Sequence, residues 1–225
     1  MKIAYRELKN VIDVNTEMIT GLVIENPEFM YKMLQEFRKA TEGLDSNIVV
    51  SDNETPISAQ KTIAYITDFI DFTLNQKTLI TKIMSEMDKK SKNELYYEKS
   101  EQLLGNIEMY IESLAGGLPC EIICEKLNIL AVIKAAGIEI IDDYDTLEER
   151  ILAYMDLSRE YEGKKLFVFV NLRSVVSYAT LQLMMDTAIT REYRVLLIDN
   201  MDYKKLSCES RICLLYTSPS PRDTR

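Results

Sequence analysis

Residues 164–200 read KKLFVFVNLRSVVSYATLQLMMDTAITREYRVLLIDN and carry the strongest fold signal in the chain. The runs Leu166–Asn171 and Val195–Asp199 are short, mostly apolar and rich in β-branched or aromatic residues. Strands that are apolar on both faces are typical of a parallel sheet covered on two sides. Tyr178–Ile189, between them, has helical spacing, with a shared face of Leu181, Met184, Met185, Ala188 and Ile189. The stretch therefore predicts a right-handed βαβ crossover at the centre of an α/β core.

Composition limits the size of the core and the kinds of partner. The chain has 225 residues, 47% of them apolar, which is enough for one good core or two small ones. A net charge of −9 predicts solubility and argues against a general affinity for nucleic acid. No segment reads as a signal peptide or a membrane span, and the four cysteines indicate a reducing, cytoplasmic environment. Because histidine is absent, the commonest general base and metal ligand is missing.

The first fifty residues read as short strands around one helix. The strand candidates are Ile3–Tyr5, Val11–Val14, Leu22–Ile24 and Asn47–Ser51. Asn26 followed by Pro27 is a typical helix start, with a capping amide before proline at the first helical position. This helix should continue to about Ala40 and end at Gly43, with Phe29, Met30, Met33 and Phe37 facing inward.

The pattern is helical almost throughout residues 60–136. Gln76–Lys90 and Tyr97–Leu114 each carry an apolar face, and the break at residues 91–93 predicts an αα-hairpin. A further helix is predicted over Lys126–Ala136, followed by a strand at Ile138–Ile141. Thr146 is a plausible N-cap for a helix that runs to Glu162 and ends at Gly163. We therefore predict an α/β head domain from residues 1–59 and 137–212, interrupted by a helical leg domain at residues 60–136.

The last residues, from Cys213 onward, read CLLYTSPSPRDTR and have no structural periodicity. They resemble the conceptual translation of a sequencing-library adapter. We therefore interpret residues 213–225 as an unstructured, foreign tail that stands in place of a native C-terminus. The alternative is a genuine disordered tail rich in proline and serine.

Catalytic motifs are weak in this chain. VLLID, ending at Asp199, is similar to the acidic strand of P-loop NTPases, whose carboxylate helps to hold Mg²⁺. No G-x-x-x-x-G-K-[ST] motif accompanies it among the seven glycines, so Asp199 is interpreted as a loop or capping residue. Cys120 and Cys124 make a poor zinc site without histidine and are interpreted as small core residues.

Positive charge is concentrated on one predicted helix. Between residues 77 and 92, five lysines stand against Glu86 and Asp88, a local charge of +3 in an acidic protein. Lys82, Lys89 and Lys90 should project to a similar side. Such lysines suit phosphate contacts that carry no sequence information, and the alternative is an ordinary solvated helix face. The candidate DNA-binding residues are Lys77, Lys82, Lys89, Lys90, Lys92 and Lys134.

Three stretches carry a resemblance to a known family. They are VIENPEFMYKMLQEF at residues 23–37, TDFIDFTLNQKTLITKI at residues 67–83, and LNILAVIKAAGIEIIDDYDTLEERILAYMDLSREYEGKKLFVFVNLRSVVS at residues 127–177. In these blocks the chain resembles the small CRISPR-associated spacer-acquisition protein of type II-A systems, the ring-forming DNA-end binder of the Csn family. The resemblance spans residues 1 to about 212.

The resemblance implies a fold and a non-catalytic role. It implies a head domain that is related to P-loop NTPases but has no functional phosphate loop, and a helical leg that is inserted into this head. It implies a homotetrameric ring whose positive hole holds double-stranded DNA loaded from free ends. Its implied partners during spacer acquisition are the CRISPR integrase subunits and the type II effector nuclease.

The resemblance also implies Ca²⁺ bound by acidic side chains near the head–leg junction, where this sequence offers Glu121 and Glu125. The loop with Asp142, Asp143 and Asp145 is another candidate, and its alternative is a solvated acidic loop. Two further functions stay open at this point. One is a nucleotide-binding enzyme that uses Asp199 and a degenerate loop, and the other is a scaffold with protein partners only.

Overall fold

The computed structural model describes residues 1–123 and 125–214 as two compact units. Within these ranges, the first unit comprises residues 1–73 and 143–214, and the second lies within Leu74–Asp142. Within the described ranges, none of the helices has the length and apolar character needed to cross a membrane.

The first unit is an α/β fold. Its strands are β1 (Lys2–Tyr5), β2 (Ile12–Asp13), β3 (Ile19–Ile24), β4 (Ile48–Asp52), β5 (Thr55–Ile57), β6 (Ile63–Ile66), β7 (Leu166–Val170), β8 (Arg194–Asp199) and β9 (Glu209–Leu214). Its α-helices are α1 (Pro27–Glu42), α2 (Ala59–Thr62), α6 (Leu147–Leu157) and α7 (Tyr178–Thr190). A π-helix, Ser158–Glu162, continues α6, and a 3₁₀ turn, Leu172–Ser174, follows β7.

The strands form two sheets. Five of them make a parallel sheet in the order β6-β7-β8-β3-β9, and the other four make an antiparallel sheet in the order β2-β1-β4-β5. The predicted βαβ crossover is confirmed as β7–α7–β8, in which Phe167 lies opposite Val195 in adjacent parallel strands. The predicted α/β class with a parallel sheet is therefore confirmed.

Helices cover both faces of the parallel sheet, which explains why its central strands are apolar throughout. On one face, α1 packs Met30, Met33 and Phe37 into a cluster with alternate residues of β3, β7 and β8 and with the antiparallel sheet. The other face carries Phe167 and Phe169. The ring of Phe167 packs edge-to-face against the ring of Tyr193, with 5.3 Å between the ring centroids. Residues Leu181, Met184, Met185 and Ala188 of α7 are buried, as their spacing predicts.

Helix boundaries follow the capping signals in the sequence. The Asn26 side chain accepts a hydrogen bond from the Phe29 backbone N–H, Pro27 begins α1, and Gly43 ends it in the left-handed region with φ of 77°. Thr146 caps α6 in the same way through the N–H of Glu149. The helix predicted to end at Gly163 does so, but its last turn is the π-helix.

The second unit is helical. It contains α3 (Lys77–Ser91), α4 (Glu94–Ala115) and α5 (Ile129–Ala135). The turn between α3 and α4 falls at the predicted position, so the αα-hairpin is confirmed. Helix α5 starts later than predicted because Asn128 caps it through the N–H of Ala131.

The observed units depart from the predicted boundaries of 60 and 136. Residues 60–73 belong to the α/β unit, since Ile63–Ile66 pairs as β6 with β7 instead of continuing a helix. Residues 137–142 belong to the helical unit, and Ile138–Ile141 is not a strand. Its backbone is held instead by the side chain of Asn75, which accepts from the Ile140 N–H at 2.7 Å and donates to its carbonyl at 3.0 Å.

The interpretation of residues 213–225 as unstructured is wrong for its first two residues. Cys213 and Leu214 complete β9 and pair with Val23 and Ile24 of β3. The strand was missed because its alternating pattern is short and includes charged Glu209 and Arg211. Residues 215–225 and Cys124 lie outside the described residues.

Gly21, in the middle of β3, is required by close packing. A Cβ atom added there would lie 2.1 Å from the Oε1 of Glu209, so the buried carboxylate occupies the space of a side chain.

The Gly21→Ala substitution should lower the free energy of unfolding by about 1–3 kcal/mol, because it forces Glu209 from its seat. Urea denaturation followed by circular dichroism measures this. Gly105→Ala is the control, since no atom lies within 4 Å of a Cβ there and alanine favours a helix. Equal destabilisation by both substitutions would contradict the packing argument.

Candidate nucleic-acid interface

Every lysine proposed from the sequence lies on the surface of the helical unit. Lys77, Lys82, Lys89 and Lys90 are exposed on α3, Lys92 follows it, and Lys134 is exposed in α5. Leu79, in the first turn of α3, is the residue of this helix that is fully buried, and it anchors the start of the helix to its unit.

A continuous polar stripe runs along α3 at alternating spacings of four and three residues. Its members, all exposed, are Thr78, Lys82, Ser85, Lys89 and Lys92. Residues at this spacing share one helix face, and none of the five is acidic. We call this set the α3 stripe. Hydroxyl and ammonium groups are among the side-chain donors that contact nucleic-acid phosphates.

Two lysines of the α3 stripe are engaged by neighbouring carboxylates. Lys89 pairs with Glu86 at 3.1 Å and Lys92 with Asp88 at 2.7 Å. In the described part of the chain, no ion pair is found for Lys77, Lys82, Lys90 or Lys134. Exposed pairs of this kind are weak, so phosphate can replace the carboxylates.

That Lys82, Lys89 and Lys90 project to a similar side stays a prediction. Lys89 aligns closely with Lys82, seven residues earlier, while Lys90 is rotated by about 100° from Lys89 and is therefore left out of the α3 stripe. Lys134 is in the last turn of α5 and Lys77 is at the first position of α3, both outside the stripe.

The calcium candidates are sparse. Glu121 and Glu125 are exposed in an irregular segment, and within the described residues no three acidic or cysteine side chains gather into a metal site. Asp142 uses one oxygen to accept the N–H of Leu74 at 2.9 Å, while Asp143 and Asp145 are exposed. Because Ca²⁺ takes six to eight oxygen ligands, these carboxylates alone do not complete its coordination. Calcium binding stays a prediction.

Asp199 is neither a loop nor a capping residue, contrary to the sequence interpretation. It is buried at the end of β8, where its Oδ2 accepts a hydrogen bond from Nε of Arg173 at 2.8 Å. The connection from β3 to α1 consists of Glu25 and Asn26 alone, which leaves no room for a phosphate-cradling loop. The carboxylate at the position of the acidic NTPase strand therefore faces a guanidinium.

A buried ionic network extends from this pair. Nη2 of Arg173 lies 2.8 Å from Glu209 Oε2, and Nη1 donates to the Lys204 carbonyl at 3.1 Å. Glu209 also accepts from Nε of Arg211 at 2.7 Å and from the Leu206 N–H at 2.9 Å. The network joins β8, β9 and the 3₁₀ turn. Sequence reasoning missed Arg173 and Glu209, since they stand 36 positions apart and no local motif links them.

The pKa values of the two carboxylates of the network are shifted in opposite directions. Burial raises the pKa of Asp199 to about 6, because desolvation outweighs the attraction of Arg173. Burial also opposes ionisation of Glu209, but hydrogen bonds from Arg211, the Leu206 backbone and Arg173 hold its pKa below the ordinary value. Asp199 Oδ1 is buried without a hydrogen-bond partner in the described chain.

Two cavities lie away from this network. The larger, about 470 Å³, is in the α/β unit beside the carboxyl ends of β3 and β9, and Leu8, Phe29 and Ile212 line it. The smaller, about 300 Å³, is in the helical unit between the end of α3, α4 and the segment that leads into α5.

The fold and surface define an α/β protein with an inserted helical unit that presents lysines to solvent. A family model described as CRISPR-associated protein (Cas_Csn2) matches residues 42–214. The chain therefore belongs to this CRISPR-associated family, and the resemblance seen in the sequence is confirmed. Residues 23–37, the first of the resembling stretches, lie outside the matched range.

Among solved structures, the chain is similar to one from Pyrococcus furiosus described as a "putative ABC transporter (ATP-binding protein)". The identity is 9%, the match covers 94% of both chains, and the TM-score is 0.40.

The Asp199→Asn substitution should change the pH dependence of stability. Since the folded pKa of Asp199 lies above its ordinary value, the folded state holds this proton while the unfolded state releases it. The contribution of Asp199 to stability therefore falls as the pH rises from about 4 to about 6. Urea titrations across this range should show the stability of the variant rising relative to the wild type. A difference that is constant with pH would contradict the assignment.

The Arg173→Met substitution should lower the free energy of unfolding by about 3–5 kcal/mol, because it leaves two buried carboxylates without their shared cation. Arg38→Met is the matched control, since Arg38 pairs with Glu42 on the exposed side of α1 and its loss should change little. The urea midpoints of both variants provide the comparison. A small effect at Arg173 would refute a structural role for the network.

Proposed function

We propose that this chain binds the ends of double-stranded DNA, without catalysis, as a homotetrameric ring during CRISPR spacer acquisition. The observation that carries the proposal is the α3 stripe, a row of exposed hydroxyl and ammonium groups in which none of the five residues is acidic. Such groups contact phosphates irrespective of base sequence, as capture of arbitrary DNA fragments requires. Membership of a CRISPR-associated family supports a role of this kind.

The overall negative charge is compatible with this proposal because the charge is segregated. The chain carries a net charge of −9, yet residues 77–92 contain five lysines against two carboxylates. The acidic remainder disfavours non-specific association with DNA elsewhere on the surface. DNA binding would then be confined to the face that carries the α3 stripe.

Function in the cytoplasm together with the CRISPR integrase and the type II effector nuclease is part of the same proposal. Ca²⁺ at Glu121 and Glu125 would need further ligands from backbone carbonyls or water. The alternative of a nucleotide-binding enzyme that uses Asp199 is disfavoured, because the Asp199 carboxylate is ion-paired with Arg173. A scaffold that binds only proteins is the alternative outcome of the experiments below.

Linear duplex DNA should bind, and covalently closed circular duplex of the same sequence should not, because a ring is loaded from free ends. Electrophoretic mobility at low and moderate salt, with Ca²⁺ or with a chelator, measures this. Binding should weaken with salt as counterions are released. Equal affinity for the two topologies would refute end loading, and no binding to either would leave the scaffold function.

The triple substitution of Lys82, Lys89 and Lys92 by alanine should weaken binding of linear duplex. Each lost phosphate contact should reduce the slope of log affinity against log salt by about 1. The matched control replaces Lys77, Lys90 and Lys134, which are also exposed and carry the same total charge but lie outside the α3 stripe. If both triple variants lose the same affinity, net charge and not the stripe accounts for binding.

A further inference from the structure

The cavity of about 300 Å³ in the helical unit has the chemistry of a nucleotide site. The apolar part of its lining includes Leu104, which is only 7% exposed, and the ring of Tyr97, which remains 55% exposed, also lines it. Pockets for small ligands in proteins begin at about this volume and combine an apolar lining with a few polar groups. An exposed aromatic ring beside an apolar side chain is a stacking surface for a nucleobase.

Polar groups around the cavity match the rest of a nucleotide. Lys126 and Lys92 line it, and Lys92 is paired with Asp88 while no ion pair is found for Lys126 in the described chain. Asn128 uses its Oδ1 to cap α5 by accepting from the Ala131 N–H at 2.9 Å, which leaves its amide N–H groups to donate. Glu101, another lining residue, can accept from the exocyclic amine of a base.

The cavity walls are held in place by the fold of the helical unit. The Glu108 carboxylate on α4 accepts the Leu127 N–H at 3.1 Å and so fixes the segment before α5. Ser100 on α4 donates to the Ser91 carbonyl at the end of α3 at 3.2 Å. These bonds join the three sides of the cavity, so the site is formed before a ligand binds.

We propose that this cavity binds a single unpaired nucleotide at the end of a DNA duplex. The base would stack on Tyr97 over Leu104, and its phosphate would lie against Lys126. The inference rests on the proposed function for its biological setting, because a protein that binds duplex ends meets frayed and overhanging nucleotides. Such a site would make the protein prefer duplex ends with an unpaired nucleotide over blunt ends. Phosphate contacts on the α3 stripe do not provide this preference.

The test compares two forms of one linear duplex with the full chain. One form is blunt, and the other carries a one-nucleotide overhang of 2-aminopurine, whose fluorescence falls when the base stacks. The overhang should be quenched on binding and should raise affinity about tenfold. Tyr97→Ala should abolish both effects while leaving affinity for the blunt duplex unchanged, and Tyr97→Phe should retain them.

Tyr110→Ala is the matched control, since Tyr110 is 64% exposed on the same helix but does not line the cavity. If the overhang is preferred and quenched equally by wild type and Tyr97→Ala, the proposal is wrong. A third probe, a short single strand containing 2-aminopurine, separates binding of duplex ends from binding of an unpaired nucleotide in the cavity. If no duplex binds, the proposed function fails, but quenching of the single strand that depends on Tyr97 still supports nucleotide binding in the cavity. If the single strand is not quenched either, nucleotide binding in the cavity is refuted.

Discussion

The α/β unit depends most directly on the ion pairs and hydrogen bonds that the guanidinium of Arg173 makes. This guanidinium contacts Asp199 at the end of β8, Glu209 at the start of β9 and the backbone of Lys204 between these strands. Because Arg173, Asp199 and Glu209 are all buried, loss of the guanidinium would leave Asp199 desolvated and without its ion-pair partner. The network therefore fixes how the last strand joins the sheet. It also commits the acidic end of β8 to a structural role.

A buried network of this kind usually stabilises less than an apolar core of equal volume. Its value here is in specifying one arrangement of β9. The edge strand is short and contains two charged residues, so hydrophobic pattern alone would fix its register poorly. Glu209 resolves this by lying over Gly21, at the one position of β3 that has no side chain.

The sequence predicts those parts of the fold whose determinants are local. Asn26, Thr146, Gly43 and Gly163 mark helix ends through backbone and capping chemistry that acts within a few residues. The strands β6 and β9 pair with strands that are far away along the chain. Ile138–Ile141 was predicted as a strand, but its backbone bonds to the side chain of Asn75 instead of to another strand. The lysines of the candidate site were found from local charge. The exposure of each member of the stripe required the structure, because it depends on how α3 packs in its unit.

The π-helix at Ser158–Glu162 has a consequence for how this chain tolerates insertions and deletions. A wider turn accommodates one additional residue within a helix without displacing the segments on either side. Here it orients Arg159 so that its guanidinium stacks 4.2 Å from the centre of the Tyr193 ring and donates to the Arg191 carbonyl at 2.7 Å. Deletion of one residue from this turn would restore regular helix and rotate Arg159 away from both partners. Related chains with one residue fewer in this segment must therefore connect the helix to β8 through different side chains.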